Sequence, residues 1–217
     1  MKELIIIGAS GFGREVAWLV ERINTVEPTW SLLGFLDDNP EMTGKIVDDY
    51  PVLGGCDKAK DYPDAYYVCA IASSGIRKNV IEKLGVVNYA TIVDPNILIS
   101  DKVTIGEGTI ICAGTIITVN VSIGSHVIIN LNSTIGHDSV IHNFVTLYPS
   151  VNVSGITNIG ECSEVGTGAQ IIQRKKIGSN SIVGSGAVVV RDIPDDCTAA
   201  GCPAKVIRKK GVQKVPF

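Results

Sequence analysis

Aromatic residues and charge are both scarce in this chain: aromatics make up 6% of its 217 residues, and 19 Lys and Arg stand against 22 Asp and Glu. A net charge of −3 creates no field to gather nucleic acid, and no Lys/Arg run is long enough to hold an anionic membrane surface. Long hydrophobic runs are missing too. Leu4-Ile5-Ile6-Ile7 ends at Gly8, too short for a secretory core or for membrane insertion, so the chain is expected in the cytoplasm. The cysteines (Cys56, Cys69, Cys112, Cys162, Cys197 and Cys202) form no CxxC pair and have no histidine at zinc spacing, so they read as free thiols and no metal is expected. With 45% hydrophobic residues and so few aromatics, the core must be built from Ile and Val, which suit pleated strands.

What is present is a period. Every sixth residue from Val93 (Ile99, Ile105, Ile111 and onward) to Val189 is Ile, Val or Leu without a miss. If about a third of positions were aliphatic, chance would give such a run with a probability on the order of 10^-8. The residue four positions on, from Ile97 to Ala187, is Ile, Val, Thr, Ser or Ala throughout except Lys175. A six-residue period fits a coil of three short strands, so residues 18 apart stack: His137, Gly155 and Gln173 share one corner line, and Pro149, Thr167 and Ser185 another. Glycines at the second position, such as Gly106, Gly124 and Gly136, suit corners that need positive φ or close backbone approach. Arg174-Lys175-Lys176 reads as an outward loop or a solvated bulge. The pattern breaks at 191–196, and 201–207 reads as a terminal cap followed by a frayed tail over 208–217.

Ahead of the repeat, residues 1–88 read as a small Rossmann-like α/β domain, and 89–217 as the β-helix. Leu4–Ile7 is a buried strand, and Gly8-Ala9-Ser10-Gly11-Phe12-Gly13 opens a helix from about Arg14 to Asn24. Such a turn lets backbone N–H groups approach phosphate, although the GxxGxG spacing is equally that of a tight strand-to-helix connection. Asp37 and Asp38 end a second strand, where ligands sit in open α/β sheets. Ser73, Ser74 and Arg77 open a helix after a third strand, a set able to hold a diphosphate.

Gly8-Ala9-Ser10-Gly11-Phe12-Gly13-Arg14-Glu15, Phe35-Leu36-Asp37-Asp38, the stretch 70–77, Gly136-His137-Asp138-Ser139-Val140-Ile141 and 183–189 follow in order. In these the chain resembles the bacterial sialic-acid O-acetyltransferase and nucleotide-sugar N-acetyltransferase family of the hexapeptide-repeat superfamily. That resemblance implies a left-handed parallel β-helix, homotrimers with sites between subunits, acetyl-CoA as co-substrate, and a place in polysaccharide biosynthesis. The acceptor it implies is the amine of a UDP- or dTDP-linked 4-amino-4,6-dideoxyhexose, with the nucleotide on Gly8, Ser10, Gly11, Phe12, Gly13, Asp37, Asp38, Ser73, Ser74 and Arg77. His137 is the expected general base, since imidazole titrates near neutral pH and the residue stands at a corner, and Asp138 would orient it. Gly155 N–H would face the thioester carbonyl, with Thr167 and Ser185 along the pantetheine arm. The family often carries a second histidine nine residues after the base; this chain has Thr146, whose hydroxyl is a weaker donor toward the acetyl group.

Other readings stay open. Transfer to a hydroxyl would use the same base. A zinc hydratase on the same fold would draw on His137 and His142, with His126 as the only further histidine. A non-catalytic scaffold would leave His137 idle.

Overall fold

The structure, a computed structural model, describes residues 1–85 and 87–209. The N-terminal part is a sheet of β1 (Lys2–Ile7), β2 (Trp30–Leu36), β3 (Ile46–Val47), β4 (Tyr50–Gly54), β5 (Tyr66–Cys69) and β6 (Asn88–Tyr89), in the order β3-β4-β2-β1-β5-β6. All neighbours run parallel except β3 and β4. Helix α1 (Gly11–Val26) covers one side of the sheet through Val16, Ala17, Leu19 and Val20, and α2 (Ser74–Leu84) covers the other through Ile81.

The helix α1 begins three residues earlier than its sequence pattern predicts, because Gly11-Phe12-Gly13 form its first turn. Gly13 is there for contact: a Cβ would lie 2.0 Å from the carbonyl oxygen of Gly8, so only glycine lets the helix cross the end of β1. Phe12 packs on the core rather than facing a ligand.

From Ile92 onward the chain winds as a left-handed parallel β-helix with two-residue strands. The first face stacks Ile92–Val93, Ile110–Ile111, Ile128–Ile129, Thr146–Leu147, Glu164–Val165 and Ile182–Val183. The second runs from Leu98–Ile99 to Val188–Val189, and the third from Thr104–Ile105 to Lys176–Ile177. Every pairing has a register of 18, as in Ile135 with Val153. The second residue of each strand points inward, and from Ile111 to Val189 these side chains are at most 4% exposed. Truncating one of them to Ala would cost about 2 to 5 kcal/mol.

The corners separate the two uses of glycine that the sequence left merged. Second-position glycines make close approaches: a Cβ on Gly136 would lie 2.6 Å from the amide nitrogen of Gly155 one rung on. Positive φ falls two residues later, from Gly108 through Asn120, His126, Asn132, Asp138, Phe144 and Arg174 to Gly186. Asn, Asp and Gly tolerate that conformation best. Because Arg174 takes this corner φ of 62°, the basic triplet stays in the regular coil, and the expected loop or bulge does not form.

The cap is Cys197–Ala200, parallel to Ile182–Val183, followed by Lys205–Lys209 running antiparallel to it. Of the tail expected to fray, Arg208 and Lys209 belong to that strand, and 210–217 lie outside the described residues. No helix among the described residues is long and apolar enough to cross a membrane.

The two parts share one core. Ile92, Ile110 and Ile128 point outward from the first face, yet they are buried against Leu4, Ile6, Val16 and Val20. Arg22 of α1 adds a bond from Nε to Asp94 Oδ2 at 2.7 Å, and Asp94 is 1% exposed. At the other edge His126 is buried edge-on to Tyr89 and stacked on Phe144, with ring centroids 4.6 and 5.1 Å away. Its Nδ1 has no hydrogen-bond partner among the described residues, and burial, with the Arg77 charge second, pulls its pKa down to about 4. The unfolded chain takes up that proton near pH 6.5, so the contribution of neutral His126 is complete above that pH and is lost as pH falls toward 4. Phe144 already holds an aromatic ring at φ 59° one rung on, so His126→Phe should be accommodated. Urea unfolding at pH 7 and pH 4.5 should show the acid loss reduced by about 2 kcal/mol in that variant; an unchanged loss would mean that other groups carry it.

Candidate active site

The chemistry converges on the corner after the second-face strand Thr134–Ile135. His137 takes the third position of its hexad, and Asp138 follows in the left-handed conformation with φ 57°. That kink turns the carboxylate back onto its neighbour, so Asp138 Oδ2 lies 2.8 Å from His137 Nδ1. Asn120, one rung below, donates from Nδ2 to Asp138 Oδ1 at 3.2 Å. The two bonds, that to His137 first, hold the Asp138 carboxyl below its usual pKa, so it stays charged at neutral pH. An anionic partner selects the tautomer with the proton on Nδ1 and leaves the lone pair on Nε2. Both side chains are about half exposed.

Nε2 lies over Gly155, where a Cβ would be 2.5 Å away. The amides of Ser125 and Ser179, which occupy the same corner position in other hexads, are held by side chains one rung on, Asn143 Oδ1 and Asp195 Oδ1, each at 2.9 Å. Gly155 N–H donates to no acceptor among the described residues. His137 Nε2 and an uncommitted amide thus stand side by side at an open corner, and these are the parts acyl transfer requires: a base and an oxyanion donor.

Thr167 and Ser185 stack one rung apart at a different exposed corner, where Gly186 N donates to Thr167 O at 2.8 Å. Within one chain the second face separates that corner from His137.

The structure also brings Gly8, Ser10, Asp37 and Asp38 together, around a cavity of about 210 Å3 at the C-terminal ends of β1 and β2. Asp37 clasps the glycine turn, accepting from Ala9 N and Asn39 N at 2.9 Å each. Asp38 Oδ1 accepts from Cys56 N at 2.7 Å, and burial together with that carboxylate pushes the Cys56 thiol up to about 12. Two carboxylates favour a ligand's hydroxyl and N–H groups over its phosphates.

Six residues expected at ligands are placed elsewhere by the structure. Arg77 is fully buried, and its nitrogens go to the carbonyls of Ile71, Ala72, His126, Phe144 and Val145 and to Thr146 Oγ1, so none remains for a diphosphate. Ser74 is spent on Glu164 Oε1, which accepts from both its N and its Oγ at 2.9 Å, and a carboxylate at that helix end repels phosphate. Thr146 is buried on the first face, donates to Ala72 O at 2.7 Å, and is closed off from an acetyl donor. Gly11 and Phe12, in the first turn of α1, are absent from the lining of the cavity, as is Gly13, and Phe12 and Gly13 are spent on packing. Ser73 lines a separate polar cleft with Ser74, Lys78 and Glu164.

His142 is exposed at the far end of the third-face strand Val140–Ile141, and His126 is buried beside Tyr89. Among the described residues no three His, Cys, Asp or Glu side chains cluster as metal ligands. Asn120 went unnoticed in the sequence, although its distance of 18 residues from Asp138 is a readable signal.

A β-helix of hexapeptide repeats with a histidine and a free amide at an open corner defines the class as hexapeptide-repeat acyltransferases. The model of the PglD N-terminal domain family matches residues 3–84. WeeI from Acinetobacter baumannii is 33% identical over 95% of this chain and 100% of its own, with a TM-score of 0.82. The acetyltransferase domain of PglB from Neisseria gonorrhoeae is 31% identical over 95% and 100%, with a TM-score of 0.86, and is also known in complex with acetyl coenzyme A. A histidine-to-asparagine mutant of perosamine N-acetyltransferase from Caulobacter crescentus, in complex with CoA and GDP-perosamine, is 27% identical over 96% and 98%, with a TM-score of 0.88. The curated relatives match over a shorter stretch: the chain spans about a fifth of their length, as with 20% of a serine acetyltransferase from Synechococcus elongatus. The chain belongs to the hexapeptide-repeat acetyltransferase family whose members join a PglD-type N-terminal domain to the β-helix.

Proposed function

We propose that the protein moves the acetyl group of acetyl-CoA to the amine of a nucleotide-linked 4-amino-4,6-dideoxy sugar in the cytoplasm, with His137 as general base. The observation that carries this reading is the pairing of His137 Nε2 with the unengaged N–H of Gly155 at an open corner. The neutral amine attacks the thioester carbonyl, and the oxygen gains negative charge beside Gly155 N–H. Nε2 takes the proton that the nitrogen sheds, Asp138 stabilises the imidazolium, and the C–S bond breaks to release CoA. The relatives that bind CoA, acetyl coenzyme A and GDP-perosamine support this substrate pair.

The cavity at Asp37 and Asp38 is assigned to the nucleoside, whose hydroxyls and base N–H groups match its carboxylates. A homotrimer with sites between subunits is part of the reading. Val119, Ile156 and Ile172 flank the His137 corner at 41 to 44% exposure, apolar surface that a second copy would cover. Thr167 and Ser185 of that copy would then meet the co-substrate from the opposite side.

The test is a panel of UDP-, dTDP- and GDP-linked amino sugars incubated with acetyl-CoA, with free CoA and product mass followed. An N-acetylated nucleotide sugar is expected. Acetylation confined to hydroxyls of free sialic acid would replace this acceptor, and binding of acetyl-CoA with no turnover on any sugar would leave a scaffold.

A further inference from the structure

Arg77 is a fully buried cation with no carboxylate bonded to it among the described residues. Burial pulls its pKa down to about 10, which leaves it charged at neutral pH; its bonded compensation comes from the carbonyls and hydroxyl around it, with the Glu164 carboxylate acting at longer range. Those acceptors fall into two groups. Ile71 O and Ala72 O, at 2.7 and 3.0 Å from Nη1, belong to the loop between β5 and α2, and Ile71 and Ile76 line the nucleoside cavity. The others are His126 O at 2.9 Å from Nε, and Phe144 O, Thr146 Oγ1 and Val145 O at 2.8, 2.9 and 3.2 Å from Nη2. His126 and Phe144 are stacked on successive rungs, so the guanidinium grips both ends of the single coil that carries His137 and Asp138. Thr146 closes the circuit by donating to Ala72 O.

We infer that Arg77 is a positioning residue for the acceptor: it fixes the wall of the nucleotide-sugar cavity relative to the coil bearing the catalytic histidine. The inference rests on the acceptor assignment made above. It holds whether the cavity serves His137 of its own chain or of another copy, because in either arrangement the β-helix sets where the N-terminal domain lies. A guanidinium suits the task, since its planar fork reaches two domains at once. The Lys ammonium has three donors on one atom and cannot span the same acceptors.

The experiment uses the full-length protein and compares Arg77→Lys and Thr146→Val with the wild type. Steady-state kinetics would vary each substrate, calorimetry would follow acetyl-CoA alone, and hydrogen exchange would be read by segment. For Arg77→Lys, kcat/KM for the nucleotide sugar should fall by about tenfold to a hundredfold, the range expected for a misplacement near 1 Å. Acetyl-CoA affinity should stay within about twofold. Exchange should rise at 70–80 and near 126 and 144, and stay unchanged over 150–190. Thr146→Val should move the same readings less, and it serves alone if Arg77→Lys does not accumulate.

Unchanged acceptor kinetics and exchange would overturn the inference. So would a parallel fall in acetyl-CoA affinity with exchange raised throughout, which marks general loosening. A wild type that binds acetyl-CoA but accepts no sugar would defeat the acceptor assignment instead, and the segmental exchange pattern would still decide whether Arg77 pins the loop to the coil.

Discussion

Replacing His137 by Asn is expected to lower kcat by about 10^2 to 10^4 with little change in melting temperature. The Asn amide can donate to Asp138 Oδ2 much as Nδ1 does now, so the corner keeps the bond that spans 2.8 Å. What disappears is Nε2, the atom beside Gly155. The side chain is about half exposed and contributes little packing, so the fold has no reason to weaken. Turnover with the best acceptor, together with thermal unfolding of the same samples, checks both halves; near-normal turnover would remove His137 from the mechanism.

Gly155→Ala is expected to cost about a hundredfold or more in kcat/KM, again with the fold intact. Its Cβ would stand 2.5, 2.7 and 2.8 Å from Nε2, Cε1 and Cδ2 of His137, closer than any packed carbon atom. The ring would have to swing away and give up Asp138. Gly155 does not use a positive φ, so the backbone itself accepts alanine. A double-mutant cycle identifies the cause. If the methyl acts by displacing the imidazole, it should cost far less once His137 is already Asn. A full additional hundredfold in that background would show that Gly155 acts through something else, the oxyanion amide being the nearest candidate.

Much of this site was readable because the coil converts spacing into position. Eighteen residues is one turn, so the stacking of His137 on Gly155 follows from numbering alone, and their corner from the third place in the hexad. Asp138 was readable as a neighbour, but its contact with the ring depends on the left-handed turn at φ 57°. The N-terminal contacts were less legible. Arg77 and Ser74 open a helix after a strand, a pattern shared by phosphate sites and by domain contacts. Nothing local says that Glu164, 90 residues away, caps that helix.

One signal was present and passed over. The outward strand positions on the first face start Ile92, Ile110, Ile128, an apolar run longer than Leu98, Ile116, Thr134 on the second face and unlike Thr104, Ser122 on the third. Apolar side chains on the outside of one face of a solenoid mark the face that another body covers, and here the sheet with α1 covers it.

The amino-acid sequence by itself determined the solenoid, its register and the line of the candidate corner, because a repeat of fixed length leaves each inward position one partner to stack on. Tertiary structure alone decided which face the N-terminal domain covers, and hence that Arg77, Ser74 and Thr146 hold protein rather than ligand. Burial and hydrogen bonding between segments 49 to 90 residues apart depend on how two surfaces meet, and local pattern carries no record of that.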